Sequence, residues 1–358
     1  MRQQPSPDRP RFAIVGTRTA PAVGPGIAVY RWQSEGPWEE VGTQEAETPG
    51  YLAYDPDRRI LYAAHGGESR VSAYSFSEDG ELTPLGSQDT GGENPVHLTL
   101  SPSGGHVLTV NYNSGTVTVF PVAEDGTLEP ASSRWTPEGE PGPHGYEQDG
   151  PKPHQVTFTP DGGTVVICDK GLDTLHFCTL DAETGELSLR EQLRFREVSG
   201  PRHVAYHPTK PLAYCVDELS NSVSVIALTE EPEVRQYLPT LHEEDVRNSR
   251  AGGIAIDPAG TYLYVSNRSG TGDDSEPGPG PDSVAAFRVR EDGLLEALGV
   301  VNALGQRPRF IGHEAGQLIV AHERSNLIQR WHITDDGLPA DPETVAEVGA
   351  PMCVLFVA

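Results

Sequence analysis

The sequence predicts an all-β chain folded as a seven-bladed β-propeller of four-stranded blades, its ring closed by the C-terminal strand joining the N-terminal blade. Three observations predict it. A strand–turn–strand unit recurs about every 50 residues, the period of a propeller blade. Gly (39) and Pro (32) make up about a fifth of the 358 residues against a usual share of about 12%, with no collagen period, so turns are many and long helices few. The strand patterns also form complete sets only if the two ends of the chain share one blade.

In chain order, residues 1–10 are polar, carry three prolines and lack the apolar run of a secretory signal, and a disordered tail is expected there. Residues 11–358 are expected to form a single propeller domain. Phe12–Val15 and Ile27–Tyr30 read as second and third strands with no first strand ahead of them. Five full units follow, each an alternating first strand, a Pro-containing turn and an apolar second strand. They are Tyr51–Pro56 with Arg59–Ala63, His97–Pro102 with Val107–Asn111, Gln155–Pro160 with Val165–Asp169, His203–Pro208 with Ala213–Asp217, and Ile254–Pro258 with Leu263–Asn267. A sixth, degraded unit is Arg309–His313 with Leu318–His322. Third strands follow at Val71–Phe76, Val117–Phe120, Leu175–Cys178, Val223–Ile226, Val284–Phe287 and Leu327–Trp331. Asp-Gly turns at Asp79, Asp125 and Asp292 then supply the positive-φ residue a tight hairpin wants. Met352–Val357 provides the first strand missing from the N-terminal blade, which leaves no open sheet edge.

Charge narrows the function. Lys plus Arg is 26 and Asp plus Glu 52, a net charge of −26 that argues against nucleic-acid or anionic-membrane partners, which need a basic footprint. No run approaches the about 20 apolar residues of a membrane span. Cys168, Cys178, Cys215 and Cys353 form no CxxC pair and read as reduced, buried thiols of a cytoplasmic protein. No feature speaks for a particular oligomeric state.

In an antiparallel blade, the start of the first strand and the end of the second lie on one face of the disc, and the turns between them on the other. The turn face carries ordinary turn residues, with His207 expected to be structural there. The opposite face collects polar groups: His97, His154, Arg202, His203 and Arg309 at first-strand starts, and His65, Asn111, Tyr112, Asp169, Lys170, Asp217, Glu218, Asn267, Arg268, His322 and Glu323 at second-strand ends. Convergent polar groups around a concave mouth are the default functional site. Asn111, Asp169, Asp217 and Asn267 alternatively cap their loops, and Arg202 alternatively serves as a structural partner of Asp217 or Glu218. A metal site among these His and carboxylates has no supporting local spacing such as HExxH.

Residues 200–208 read GPRHVAYHP, and Ala213–Leu219 reads AYCVDEL. In these stretches the chain resembles the lactonase family of seven-bladed propellers, whose forms are GPRHxxFHP followed by AYxxNEL. That family includes bacterial propeller-type 6-phosphogluconolactonase and fungal carboxy-cis,cis-muconate cyclase. Asn111-Tyr112 with Gly115, Pro153-His154, Asp169–Asp173, Tyr264–Arg268, Pro308-Arg309 and Pro351–Cys353 extend the resemblance over residues 11–358. Three positions depart from it: Asp217 stands for Asn, Gly253 for a frequent Glu, and Lys152 for a first His.

The resemblance implies a catalytic set of His154, Arg202, Glu218 and Arg268. Asn111, Tyr112, Lys152, Asp169, His203 and Arg309 are the candidate substrate-binding residues on the same face. The implied substrate is a small anionic lactone or carboxylate, and no metal or other cofactor is required. His154, with an ordinary pKa near 6.5, suits base or acid work. Glu218 would orient it or act as the base, and the guanidinium groups of Arg202 and Arg268 would grip a carboxylate, phosphate or oxyanion. The expected activity is hydrolysis of a sugar lactone, with 6-phosphogluconolactone first among substrates. Carboxymuconate-type cycloisomerisation and a non-catalytic scaffold or binding role are the alternatives, although Trp32, Trp38, Trp135 and Trp331 are scattered rather than clustered as a hot spot. Two long connections, Arg134–Lys152 and Ser269–Asp282, are expected on the mouth face, and His144 or Tyr146 of the first could touch ligand.

Overall fold

A computed structural model describes residues 11–242, 249–269 and 282–358. The expected tail at residues 1–10 and most of the 269–282 connection lie outside the described residues. Twenty-eight strands form seven four-stranded antiparallel sheets, and no helix occurs among the described residues. Blade 1 orders its strands as Pro351–Val357, Phe12–Thr17, Ile27–Arg31 and Glu39–Gln44, so the last strand of the chain completes the first blade, as the strand patterns require. Blades 2 to 7 follow in sequence, with first strands at Pro49–Asp55, Pro95–Leu100, Pro153–Phe158, Pro201–Tyr206, Ser249–Ile256 and Pro308–Glu314. These first strands, with Pro351–Val357, touch one another in a closed circuit around the central channel.

Burial follows from position in the ring. Second strands lie between neighbouring blades, and those of blades 2, 3, 4 and 5 are buried along their whole length. Fourth strands are rim elements, as in Leu82–Asp89, where most residues face solvent. The inter-blade layers are packed with Val, Ile, Leu, Ala and a few large rings, including fully buried Tyr62, Tyr214 and Tyr264. Each of these tyrosines needs an acceptor for its buried hydroxyl. Each donates to a glycine carbonyl in the Asp-Gly turn of the next blade: Tyr62 to Gly126 at 2.9 Å, Tyr214 to Gly293 at 3.0 Å and Tyr264 to Gly337 at 3.0 Å. The repeat thus carries its own inter-blade latch, each worth about 1 kcal/mol.

One irregularity repeats and positions the site. In blades 2, 3, 4, 5 and 7 the proline that opens the first strand pairs with the last residue of the second: Pro49 with His65, Pro95 with Asn111, Pro153 with Asp169, Pro201 with Asp217 and Pro308 with His322. The register then skips one residue. The skipped residues are Gly50, Val96, His154, Arg202 and Arg309. A bulge of this kind leaves one residue out of the ladder and re-aims its side chain. All five line the central cavity.

Candidate active site

Two concentric rings of side chains build the mouth. The inner ring is the bulge set, with His154, Arg202 and Arg309 from blades 4, 5 and 7. The outer ring comes from the residue just after the second strand in blades 1 to 5, Arg18, Gly66, Tyr112, Lys170 and Glu218, and in blade 6 from Arg268, which follows Asn267 inside the longer second strand Tyr262–Ser269. The preceding residues Thr17, His65, Asn111, Asp169, Asp217, Asn267 and His322 are all fully buried. In blades 1 to 6 the residue that follows lines the cavity.

This one-residue offset corrects two of the substrate contacts expected from the sequence. Asn111 donates to Thr116 at 3.0 Å and Thr118 at 3.2 Å, within its own blade. Asp169 accepts the backbone N–H groups of Lys152 (2.8 Å), Gly171 (3.0 Å) and Leu172 (3.1 Å), and its other oxygen lies 3.3 Å from Nε2 of His176. Neither lines the cavity; both act as loop locks. Tyr112, Lys152, His203 and Arg309 do line it, together with His154, Arg202, Glu218 and Arg268. The outer chamber holds about 950 Å³ and continues into a channel of about 330 Å³, with Gly50, Val96, His154, Arg309 and Met352 common to both.

Glu218 is the electrostatic centre. One oxygen lies 3.0 Å from Nζ of Lys170, and the other 2.9 Å from Nε of Arg202 and 3.2 Å from Nη2 of Arg268. Burial would raise its pKa, but Lys170, Arg268 and Arg202 outweigh burial and hold the carboxyl well below its usual range. A carboxylate held by three cations is a weak proton acceptor, and no hydrogen bond or ion pair joins it to His154 among the described residues. Its place is to hold the cations, and it answers the alternative posed for Arg202: the partner is Glu218, not Asp217.

Burial pushes the pKa of Arg202 down to about 9, with the neighbouring charge of Arg268 adding to the effect, so the guanidinium stays protonated at neutral pH. Its Nη1 donates to the Gly252 carbonyl at 2.7 Å. A Cβ on Gly252 would sit 3.0 Å from Oγ of Ser266 and 3.2 Å from Cδ and Nε of Arg268, so the bare position leaves room for the Arg268 side chain beside the backbone that Arg202 binds.

His154 is buried, its ring 5.2 Å from that of His203 and 5.6 Å from that of Tyr112. Burial, reinforced by Arg202, Lys170, Arg309 and Arg268, lowers its pKa well below 6.5. It rests as neutral imidazole at neutral pH rather than as the ordinary titrating histidine the sequence suggests, with one N–H and one acceptor nitrogen. His203 lines the channel, and its ring packs 5.5 Å from that of buried His97, which in turn lies 3.7 Å from the ring of Tyr51.

Lys170 is the residue that sequence reasoning placed at the mouth but left out of the site. Besides Glu218 it holds Glu147 at 2.7 Å. Burial opposes its charge, but Glu218, Tyr112 and Glu147 more than compensate and raise its pKa. Glu147 belongs to the 134–152 connection, which crosses the mouth as expected. Gly142 N–H donates to the Gly171 carbonyl at 2.9 Å, and Gln148 Nε2 to the Lys170 carbonyl at 3.0 Å. Any Cβ on Gly171 would collide with the Gly150 carbonyl, so this approach requires glycine. Tyr146 lines the cavity and His144 does not. Among the described residues, no group of three or more His, Cys, Asp or Glu is arranged to hold a metal ion.

The outer chamber is lined by seven Lys or Arg and four Asp or Glu, a local cationic excess inside a chain of net charge −26. The cationic positions cluster in blades 4 to 7 and 1, while blades 2 and 3 offer Gly50, Gly66, Val96 and Tyr112. Fold and site together define a propeller with a cation-rich central cavity beside a neutral imidazole. The chain belongs to the family described as lactonase, 7-bladed beta-propeller, whose model matches residues 12–356. It is 34% identical over 322 residues to a 6-phosphogluconolactonase of Bacillus subtilis, covering 86% of this chain and 87% of that one. It is 30% identical to a 6-phosphogluconolactonase of Pectobacterium atrosepticum, covering 92% and 95%. A crystal structure from Bacteroides fragilis, designated a candidate 6-phosphogluconolactonase, superposes with a TM-score of 0.87 at 28% identity, covering 99% of this chain and all of that one.

Proposed function

We propose that the protein is a lactonase that opens a phosphorylated sugar lactone, 6-phosphogluconolactone, to its aldonate. The observation that carries this reading is the single carboxylate of Glu218 holding Lys170, Arg202 and Arg268 beside the neutral imidazole of His154. The name carried by the similar proteins supports the substrate.

In this mechanism the lactone carbonyl faces Arg202 and Arg268. His154 takes a proton from water as the water oxygen bonds to the carbonyl carbon. The tetrahedral oxyanion is stabilised by guanidinium groups already oriented by Glu218, so little reorganisation accompanies charge development. As the intermediate collapses, the carbonyl carbon–ring oxygen bond breaks and the imidazolium returns its proton to the departing alkoxide. The carboxylic acid product ionises. The side of the mouth built by blades 2 and 3, where Gly50, Gly66, Ser69, Glu93 and Asn94 line the chamber without Lys or Arg, leaves room for the polyol part of the substrate. Cycloisomerisation would use the same cations, but no feature of the site favours it over hydrolysis. Four buried free thiols fit a reducing, cytoplasmic setting.

The test is hydrolysis of 6-phosphogluconolactone by purified protein, corrected for spontaneous opening, in wild type, His154→Ala and Arg202→Ala. The expected outcome is clear acceleration by wild type and a loss of about 10²–10⁴ in kcat for His154→Ala. Wild type no faster than the blank on sugar lactones would overturn the reading.

A further inference from the structure

We propose that Arg250 recognises the anionic substituent that a phosphorylated lactone carries away from its reacting carbonyl, and so sets the preference for phosphorylated over unphosphorylated substrate. The inference rests on the lactonase reading above.

Arg250 and Arg268 are directly opposite each other on neighbouring strands of blade 6, and both line the outer chamber. Like charges opposite one another across an antiparallel pair destabilise the sheet. Two carboxylates offset this pair unequally. Glu218 lies 3.2 Å from Arg268, but the nearest oxygen of Glu147 is 4.0 Å from Arg250, beyond hydrogen-bond reach. Glu147 is held instead by Lys170 at 2.7 Å. Among the described residues, the hydrogen bond that Arg250 makes runs from Nη1 to the Ser249 carbonyl at 3.1 Å, which orients the guanidinium without neutralising it.

The three arginines also form a gradient of depth. Side-chain exposure rises from 3% at Arg202 to 8% at Arg268 and 15% at Arg250. A lactone whose carbonyl lies between Arg202 and Arg268 therefore has a further guanidinium waiting toward the surface, where a remote substituent would sit. A planar fork of N–H donors matches the oxygens of a phosphate monoester, and a loosely compensated one keeps most of its attraction for an incoming dianion.

The experiment compares kcat and KM of wild type, Arg250→Gln and Arg250→Lys on 6-phosphogluconolactone and on gluconolactone. In Arg250→Gln the preference for the phosphorylated lactone is expected to collapse by about 10- to 100-fold, carried mainly by KM, with Arg250→Lys intermediate. Equal losses on both lactones, or an unaltered preference, would overturn the proposal. As a check independent of variant folding, 6-phosphogluconate should inhibit wild type at least about tenfold more tightly than gluconate, and added salt should narrow the gap. Equal inhibition by the two products would also overturn it. If wild type opens both lactones without preference, the role of Arg250 falls and the lactonase reading stands. If wild type opens neither, the lactonase reading itself falls.

Discussion

Nε of Arg202 lies 2.9 Å from Oε2 of Glu218, and both side chains are nearly closed to solvent. The bulge residue of blade 5 thus meets the residue that follows the second strand of the same blade. Lys170 and Arg268 reach the same carboxylate from the blades on either side.

Removing that carboxylate leaves three buried cations without their common partner. Glu218→Gln should lose roughly 3–5 kcal/mol of stability in urea titrations, the usual cost of breaking a buried pair on one side. Arg202→Gln with Glu218→Gln should lose less than the two single losses combined, because the double variant relieves the uncompensated charge. Strict additivity would show that the pair is not coupled.

The acid limb of kcat/KM reports protonation of the base. Because burial and four neighbouring cations hold His154 well below 6.5, activity should stay level as pH falls through 6.5 and decline only at lower pH. The measurement is a pH–rate profile from which spontaneous lactone opening is subtracted. A decline centred at or above pH 6.5 would exclude neutral His154 as the base.

Asp217 and Glu218 are sequence neighbours with opposite pH behaviour. Burial raises Asp217 from 3.8 to about 7, despite hydroxyl donors from Ser224 and Ser222. Its contribution to stability is therefore complete below its unfolded pKa and lost as pH rises toward about 7. Glu218, depressed, contributes above its unfolded value of 4.5 and loses that contribution as pH falls through its folded pKa. Thermal stability should accordingly decline on both sides of a mildly acidic optimum. Asp217→Asn should flatten the upper decline, gaining on the order of 2 kcal/mol at pH 8 relative to pH 5. An unchanged pH dependence in Asp217→Asn would mean that Asp217 is not the titrating group.

Ring closure rests on Pro351–Val357 pairing with Phe12–Thr17. Ending the chain before Pro351 exposes the edge of Phe12–Thr17, a strand of buried residues, and removes Cys353, Val354 and Val357 from the packed layers. Such an edge is a template for aggregation. The truncated protein should elute as aggregate in size-exclusion chromatography, without the cooperative thermal transition of the full chain. A monomeric, cooperatively folding truncation would show that closure is dispensable.

The architecture was legible because it is local. Period-two apolar patterning, Asp-Gly turns and the about 50-residue spacing are written in consecutive residues, and the absent first strand ahead of Phe12 pointed to the C-terminus. The face carrying the site was legible for the same reason: strand polarity puts first-strand starts beside second-strand ends. For Asn111 and Asp169 the loop-capping alternative holds, and the sequence could not choose between it and a place in the cavity because both readings put a polar residue at a strand end.

What the sequence determined by itself, then, is the blade, the number of blades, and the family of groups gathered on one face. Tertiary structure alone decided which of them meet. A bulge at the opening proline turns His154, Arg202 and Arg309 out of the ladder and into the cavity, a reversal that alternation along a strand cannot reveal. Ring geometry then brings Lys170, Glu218 and Arg268, about 50 residues apart in sequence, within reach of one carboxylate. The crowded cations keep Glu218 ionised against its burial, and burial together with those cations keeps His154 neutral, so neither behaves as its free side chain would.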